Sequence, residues 1–201
     1  MENRKLPHSF YRQEDVVHIA RQLVGKVLCT QFEGTLTSGV ITETEAYCGR
    51  NDKACHAHAG TRTERTETMY QAGGMAYIYL CYGIHHLFNI VTNVEEQADA
   101  VLVRAIAPLD GQQLMLQRRE SAEVTPTLTA GPGRLTEALG ITRDYDRTSL
   151  QGNKIWIEEG DTHCVGNDLV ATQRVGIDYA EEDAELPWRF YPKGSNWISQ
   201  K

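Results

Sequence analysis

MAYIYLCYGIHHLFNIVT, residues 75–92, is the stretch that decides the fold. It is rich in aromatic and aliphatic residues, and Gly83 interrupts it near the middle. Residues 75–82 and 86–92 therefore read as a hairpin turning at Gly83-Ile84-His85. That loop pairs Tyr82 with His86 and Tyr79 with Asn89. Strand side chains alternate between faces, so Tyr77, Tyr79, Cys81 and Asn89 share one face. Ile78, Leu80 and Tyr82 take the other, with Tyr82 at the tip.

The flanking sequence extends this β pattern. Upstream, EDVVHIARQLV (14–24) carries a helical stripe of Val16, Val17, Ala20, Leu23 and Val24, started by acids and stopped by Gly25. KVLCTQF and TLTSGVITETEAY read as two strands joined at Glu33-Gly34. Downstream, AVLVRAI (100–106), KIWIEE and DLVATQRVGI read as strands. LDGQQLMLQRRE and RLTEALG read as helices, the second bracketed by Pro132 and Gly140. RFYPKGSNWIS reads as an aromatic tail with turn formers. Strands dominate without βαβ alternation. The expected class is α+β: one unit over residues 1–201, a mostly antiparallel curved sheet with peripheral helices and a protruding hairpin.

Composition narrows the setting. No apolar run is long enough to cross a bilayer, and MENRKLPHSFYRQED has no secretory core, so a soluble cytoplasmic protein is expected. The five cysteines form no C-x-x-C pair and read as reduced thiols. The net charge of -7 is concentrated between Glu158 and Asp183, which hold eight acids and one base. The remaining residues balance at 19 acids and 19 bases. A polyanionic partner is therefore compatible with the chain, provided residues 158–183 lie away from it.

Chemistry concentrates in the first half. Alternation in ITETEAY places Ile41, Glu43, Glu45 and Tyr47 on one face, neighbours roughly 6–7 Å apart. Arg104 interrupts an apolar strand; a buried arginine needs an anionic partner, and Glu43 and Glu45 are candidates. Cys48, Cys55, His56 and His58 offer ligand types, but their spacing matches no structural zinc pattern, so no metal and no cofactor are expected. The Glu43/Glu45 pair also suits a sugar glycosidase, and a module that only binds nucleic acid is a third reading. Glu45 and Arg104 in one pocket argue against the last.

ITETEAYCG (41–49), AYIYLCYGIHHLFNI (76–90), AVLVRAIAPLDG (100–111), GPGRLTEALGI (131–141), RVGI (174–177) and RFYPKGSNWIS (189–199) together resemble the alkyladenine (3-methyladenine) DNA glycosylase family in its bacterial form. The resemblance covers nearly the whole chain, in family order. It implies a monofunctional base-excision enzyme acting on double-stranded DNA that contains damaged purines, as a monomer in the bacterial cytosol and nucleoid. By the same resemblance Glu45 is the general base and Arg104 helps hold the attacking water. Tyr47, His56 and Tyr79 pack around a flipped base, Asn89 screens its exocyclic group, and Tyr82 fills the gap in the minor groove. Tyr77 and Met69 are support and DNA contact. This chain departs from the family in TRTERTETMY, where Arg62 and Arg65 are expected to meet phosphates while Glu64 and Glu67 repel them. Extrusion is required because a base inside a duplex is out of reach. Electron-poor alkylated purines are expected to stack well on tyrosines. No lysine belongs to the set, the nearest being Lys53, so no Schiff-base lyase step is expected.

Overall fold

Thr35–Tyr47, strand β2, organises the molecule. The computed structural model describes residues 4–160 and 168–200; Asp161 of the acidic run and Cys164 lie outside the described residues. The other strands are β1 (Val27–Phe32), β3 (Ala76–Cys81), β4 (His85–Thr92), β5 (Asp99–Pro108), β6 (Ile155–Glu158), β7 (Leu169–Thr172) and β8 (Arg189–Pro192). They form one antiparallel sheet with the path β3-β4-β5-β2-β1-β6. β5 takes one edge of β2; on the other edge β1 takes the first half, and β8, itself paired with β7, takes Thr44 and Glu45. The α+β class expected from the sequence is the one observed.

Among the described residues, four short α-helices accompany the sheet: α1 (His8–Tyr11), α2 (Val16–Leu23), α3 (Gln112–Arg118) and α4 (Pro132–Leu139). Asp15 starts α2 by accepting from the Val17 and His18 amides at 2.9 and 3.0 Å. The buried stripe of α2 is Val16, Ile19, Ala20 and Leu23, so Ile19 rather than Val17 faces inward. Helix α4 opens at Pro132 and closes on Gly140 at φ +73, a left-handed cap that glycine adopts without strain. Leu23, Leu135 and Leu139 pack with Ile78, Phe88 and Val103 in the main core, each side chain contributing about 1.5–3 kcal/mol of burial. A second cluster, including Met69, Tyr77, Val91 and Ala100, takes the alternate positions of the same strands and supports the site.

Three features depart from the sequence reading. The hairpin register is Tyr79 with Leu87 and Tyr77 with Asn89, two residues from the expected pairing. The loop is Tyr82-Gly83-Ile84, with Tyr82 at φ +52 and Gly83 at φ +74, closed by the Ile84 amide on the Cys81 carbonyl. A shift of two preserves the faces, so Asn89 still joins the tyrosines. Second, β2 and β5 slip between Ile41 and Glu43 and return by Thr44, leaving Thr42 and Arg104 unpaired across the ladder. This irregularity breaks the alternation and sends Ile41 into the main core with Ala46, away from Glu43, Glu45 and Tyr47. Third, DLVATQRVGI is a strand only to Thr172, and RFYPKGSNWIS contains β8 rather than only a tail.

Candidate active site

Beside the second cluster lies a cavity of about 440 Å³, within the size range of small-molecule sites. Tyr47, His56, Tyr79, Asn89, Arg104 and Tyr82 all border it. The residues singled out in the sequence from β2, β3, β4, β5 and the loop before β3 thus converge.

The floor is a buried ionic network. Glu43 and Glu45 are each 0% exposed. Arg104 bridges them, donating from Nε to Glu43 at 3.2 Å and from Nη1 to Glu45 at 3.1 Å. The carboxylates demanded by a buried arginine are supplied by both candidates. Burial disfavours the Arg104 cation, but Glu45 and Glu43 outweigh it and raise the guanidinium above its usual value.

The two carboxylates differ in how fully they are engaged. Glu43 accepts from Arg104, from Arg189 at 2.9 Å, from the Ser199 amide at 2.5 Å and from the Ser199 hydroxyl at 2.9 Å. A carboxylate offers about four lone-pair sites, and Glu43 meets four donors, three of them on Oε1. Glu45 accepts from Arg104 and from the Tyr47 hydroxyl at 2.8 Å on Oε2, and from the Val175 amide at 2.7 Å on Oε1. Glu45 thus meets three donors, one fewer than Glu43. Burial and the Glu45 carboxylate both hold the Tyr47 phenol protonated, well above its ordinary pKa.

Tyr47 is held from behind by Arg174, whose guanidinium lies 4.8 Å from the ring centroid. Arg174 is itself locked to Asp52 at 2.5 and 2.8 Å and to the Ala46 carbonyl at 2.8 Å. The next residue, Val175, supplies the amide on Glu45, so one loop orients both the wall and the carboxylate. Arg174, Val175, Arg189 and Ser199 carry no role in the sequence reading. Their only signal was membership in RVGI and RFYPKGSNWIS.

The second wall is an aromatic group on β3 and the preceding loop. His56 lies edge-on to Tyr79, centroids 4.8 Å apart, and its Nδ1 is 3.1 Å from the Tyr77 hydroxyl. Arg65 donates to His56 Nε2 at 3.1 Å, which leaves the proton on Nδ1 to be donated to Tyr77. Burial, reinforced by Arg65, lowers the His56 pKa to about 4, so this wall is neutral near pH 7. Burial pushes the Tyr77 phenol up to about 12. Asn89 is buried, and its Nδ2 donates to the Tyr77 and Leu87 carbonyls at 3.2 and 3.3 Å.

The rim carries the remaining residues. Tyr82 is 92% exposed and its neighbour Ile84 is 71% exposed. Met69 and Tyr77 are buried in the second cluster, which makes them supports of the cavity rather than outward contacts. Arg62 is consumed by Glu67 and Glu96, so one of the two acids in TRTERTETMY pairs within the protein. The acidic run reaches the rim through Ile177 and Tyr179, while Glu181 and Glu182 bind Lys53 at 2.6 and 2.7 Å. Among the described residues, no helix is long and apolar enough to cross a membrane.

An aromatic-walled cavity, a buried Glu43–Arg104–Glu45 network reached through Arg104, and an exposed tyrosine at a hairpin tip meet at one side of this sheet, a set that suits a DNA glycosylase. The family follows from comparison: residues 9–196 match methylpurine-DNA glycosylase, and the chain belongs to that family. A protein of Chlamydia felis is 47% identical over 186 residues, covering 92% of this chain and 94% of its own. One from Bacillus cereus is 42% identical over 203 residues, covering 97% and 98%, and one from Desulfitobacterium hafniense is 40% identical over 205, covering 98% and 100%. The names of all three give them, provisionally, as 3-methyladenine DNA glycosylases.

Proposed function

We propose that this glycosylase flips alkylated or deaminated purines (3-methyladenine, 7-methylguanine, hypoxanthine, ethenoadenine) out of duplex DNA and hydrolyses the N-glycosidic bond with a water activated by Glu45. It acts as a monomer in the bacterial cytosol and nucleoid. The observation that carries the reading is the position of Glu45, held by Arg104, Tyr47 and Val175, three residues that border the aromatic-walled cavity. Water bonded to Glu45 gives its proton to the carboxylate as its oxygen attacks the sugar carbon and the purine departs, and the carboxylate stabilises the oxocarbenium-like centre. Arg104 holds that water and pairs with Glu45. Tyr47, His56 and Tyr79 stack around the base, and Tyr82 fills the emptied position in the helix.

Two details bear on the scope. Lys53 is tied to Glu181 and Glu182, which removes the nearest amine from consideration as a Schiff-base nucleophile. His56, neutral near pH 7, is no cationic acid for the leaving base. Cationic lesions leave without such help; neutral ones rely on hydrogen bonds in the pocket. Incubation of the purified protein with duplex oligonucleotides carrying one lesion each tests the reading. The expected result is free purine and a strand that breaks only after alkali. Failure to release any of the four bases, or strand cleavage without alkali, overturns it.

A further inference from the structure

Arg62 and Arg65, three residues apart, end in opposite electrostatic states. Arg62 donates to both Glu67 oxygens at 2.8 and 2.7 Å and to Glu96 at 2.7 Å. Among the described residues, Arg65 has no carboxylate within ion-pair distance. Its guanidinium instead lies 4.6 Å from the Tyr79 ring centroid, donates to His56 Nε2 and borders the cavity. The other tyrosine wall, Tyr47, also has a guanidinium behind it, but Asp52 neutralises Arg174 there. The cavity thus carries one uncancelled positive charge, placed on the wall where a flipped base would stack.

This revises the expectation that tyrosine walls favour electron-poor bases. A ring whose negative face already serves one cation has less to offer a second, and the two positive charges repel. Resting on the glycosylase reading above, we propose that Arg65 is a specificity-determining residue that selects by charge: it disfavours purine lesions with a formal positive charge and spares neutral ones. Cationic lesions such as 7-methylguanine and 3-methyladenine are intrinsically good leaving groups. Hypoxanthine and ethenoadenine are neutral and harder to cleave. An unpaired arginine on the stacking wall therefore narrows the gap between two lesion classes that chemistry alone would separate widely.

Arg65 is exposed, so its substitution leaves the core intact. The test is single-turnover release of 7-methylguanine and of hypoxanthine, in one sequence context, at saturating enzyme and fixed salt. Wild type, Arg65→Met and Arg65→Lys are compared, with affinity for undamaged duplex measured alongside. Each lesion serves as its own control across variants, so contacts peculiar to either base cancel. Arg65→Met is expected to raise the 7-methylguanine to hypoxanthine rate ratio by on the order of three- to tenfold, the effect of one solvent-screened charge several ångströms away. Arg65→Lys, which keeps the charge, is expected to hold the ratio near wild type. A ratio that stays constant or falls in Arg65→Met overturns the proposal; equal slowing of both lesions with weakened duplex affinity would make Arg65 a phosphate contact only. If wild type releases neither base, it is the glycosylase reading that fails, whatever Arg65 does.

Discussion

The floor of the cavity and the tip of the hairpin follow opposite physical rules. At the floor, Glu43, Glu45 and Arg104 are buried, every charge has a partner, and five segments distant in sequence share one network. At the tip, Tyr82 is exposed, touches no core cluster and holds a left-handed backbone that a tyrosine rarely adopts. Such a conformation costs on the order of 1–3 kcal/mol, a strain that tends to cluster at functional sites. The floor therefore ties chemistry to stability, whereas the tip separates them. The contrast can be attacked residue by residue.

The largest effect is expected at the floor, where the two glutamates should part company. Glu45→Gln should lower single-turnover base release by about 10²–10⁴-fold or more while lesion binding survives. Glu43→Gln should instead act on folding, because it unpairs Arg189 and Ser199 as well as part of Arg104. Breaking a buried charge network costs about 3–5 kcal/mol, readable as a lowered urea midpoint. Near-native rates in Glu45→Gln beside a dead but folded Glu43→Gln would reverse the assignment.

The wall between floor and tip is sharpened by pH. His56 titrates at about 4 in the fold against an ordinary 6.5. As pH falls below 6.5 the unfolded chain takes up the proton first, so the stability linked to neutral His56 is full above that pH and is lost on approach to 4. The loss amounts to about 3 kcal/mol at most. In His56→Gln this component is absent. Urea unfolding at pH 7 and pH 4.5 should therefore show a smaller acid loss in the variant than in wild type; equal losses would mean that His56 is not held neutral.

At the tip, Tyr82→Ala should lower excision about tenfold, the scale of one aromatic–base contact at 1–3 kcal/mol. Lesions in stable pairs should suffer most. Stability should move by less than about 0.5 kcal/mol, as for a surface substitution. A large fall in melting temperature would show that the tip belongs to the fold after all.

What could be read from sequence divides along similar lines. Alternation in TETEAY and YIYLCY is local, so the shared faces of Glu43, Glu45 and Tyr47, and of Tyr77, Tyr79 and Asn89, were legible. Arg104 announced its need for a carboxylate by sitting in an apolar strand. Alternation cannot report where a ladder slips, and the irregularity at Thr42 and Arg104 placed Ile41 on the other side. The hairpin register went astray because a tight loop with tyrosine at positive φ runs against residue preference. Arg189 and Ser199 approach Glu43 from 146 and 156 residues away, a pairing that no local pattern encodes.

The smallest effect is expected at Asn89, which lies between the two regimes. It is buried like the floor and borders the cavity mouth like the tip. Both hydrogens of its Nδ2 are committed to the Tyr77 and Leu87 carbonyls, so the amide cannot swing aside for an incoming base. Guanine differs from hypoxanthine by an exocyclic amino group at C2, and a fixed amide pressed against that edge discriminates by contact rather than by charge. Asn89→Ser shortens the side chain at the cavity and also frees two carbonyls, which lose about 0.5–1.5 kcal/mol per hydrogen bond. Two outcomes are therefore separable. If Asn89 selects the base, Asn89→Ser raises release of guanine or 7-methylguanine relative to hypoxanthine, roughly the 10–200-fold range or less that a small change in pocket volume supports. If Asn89 only satisfies backbone carbonyls, melting temperature falls and all substrates slow together. Rates on guanine, 7-methylguanine and hypoxanthine oligonucleotides, taken beside the melting temperature, decide between them, and an unchanged rate ratio would remove Asn89 from the choice of base.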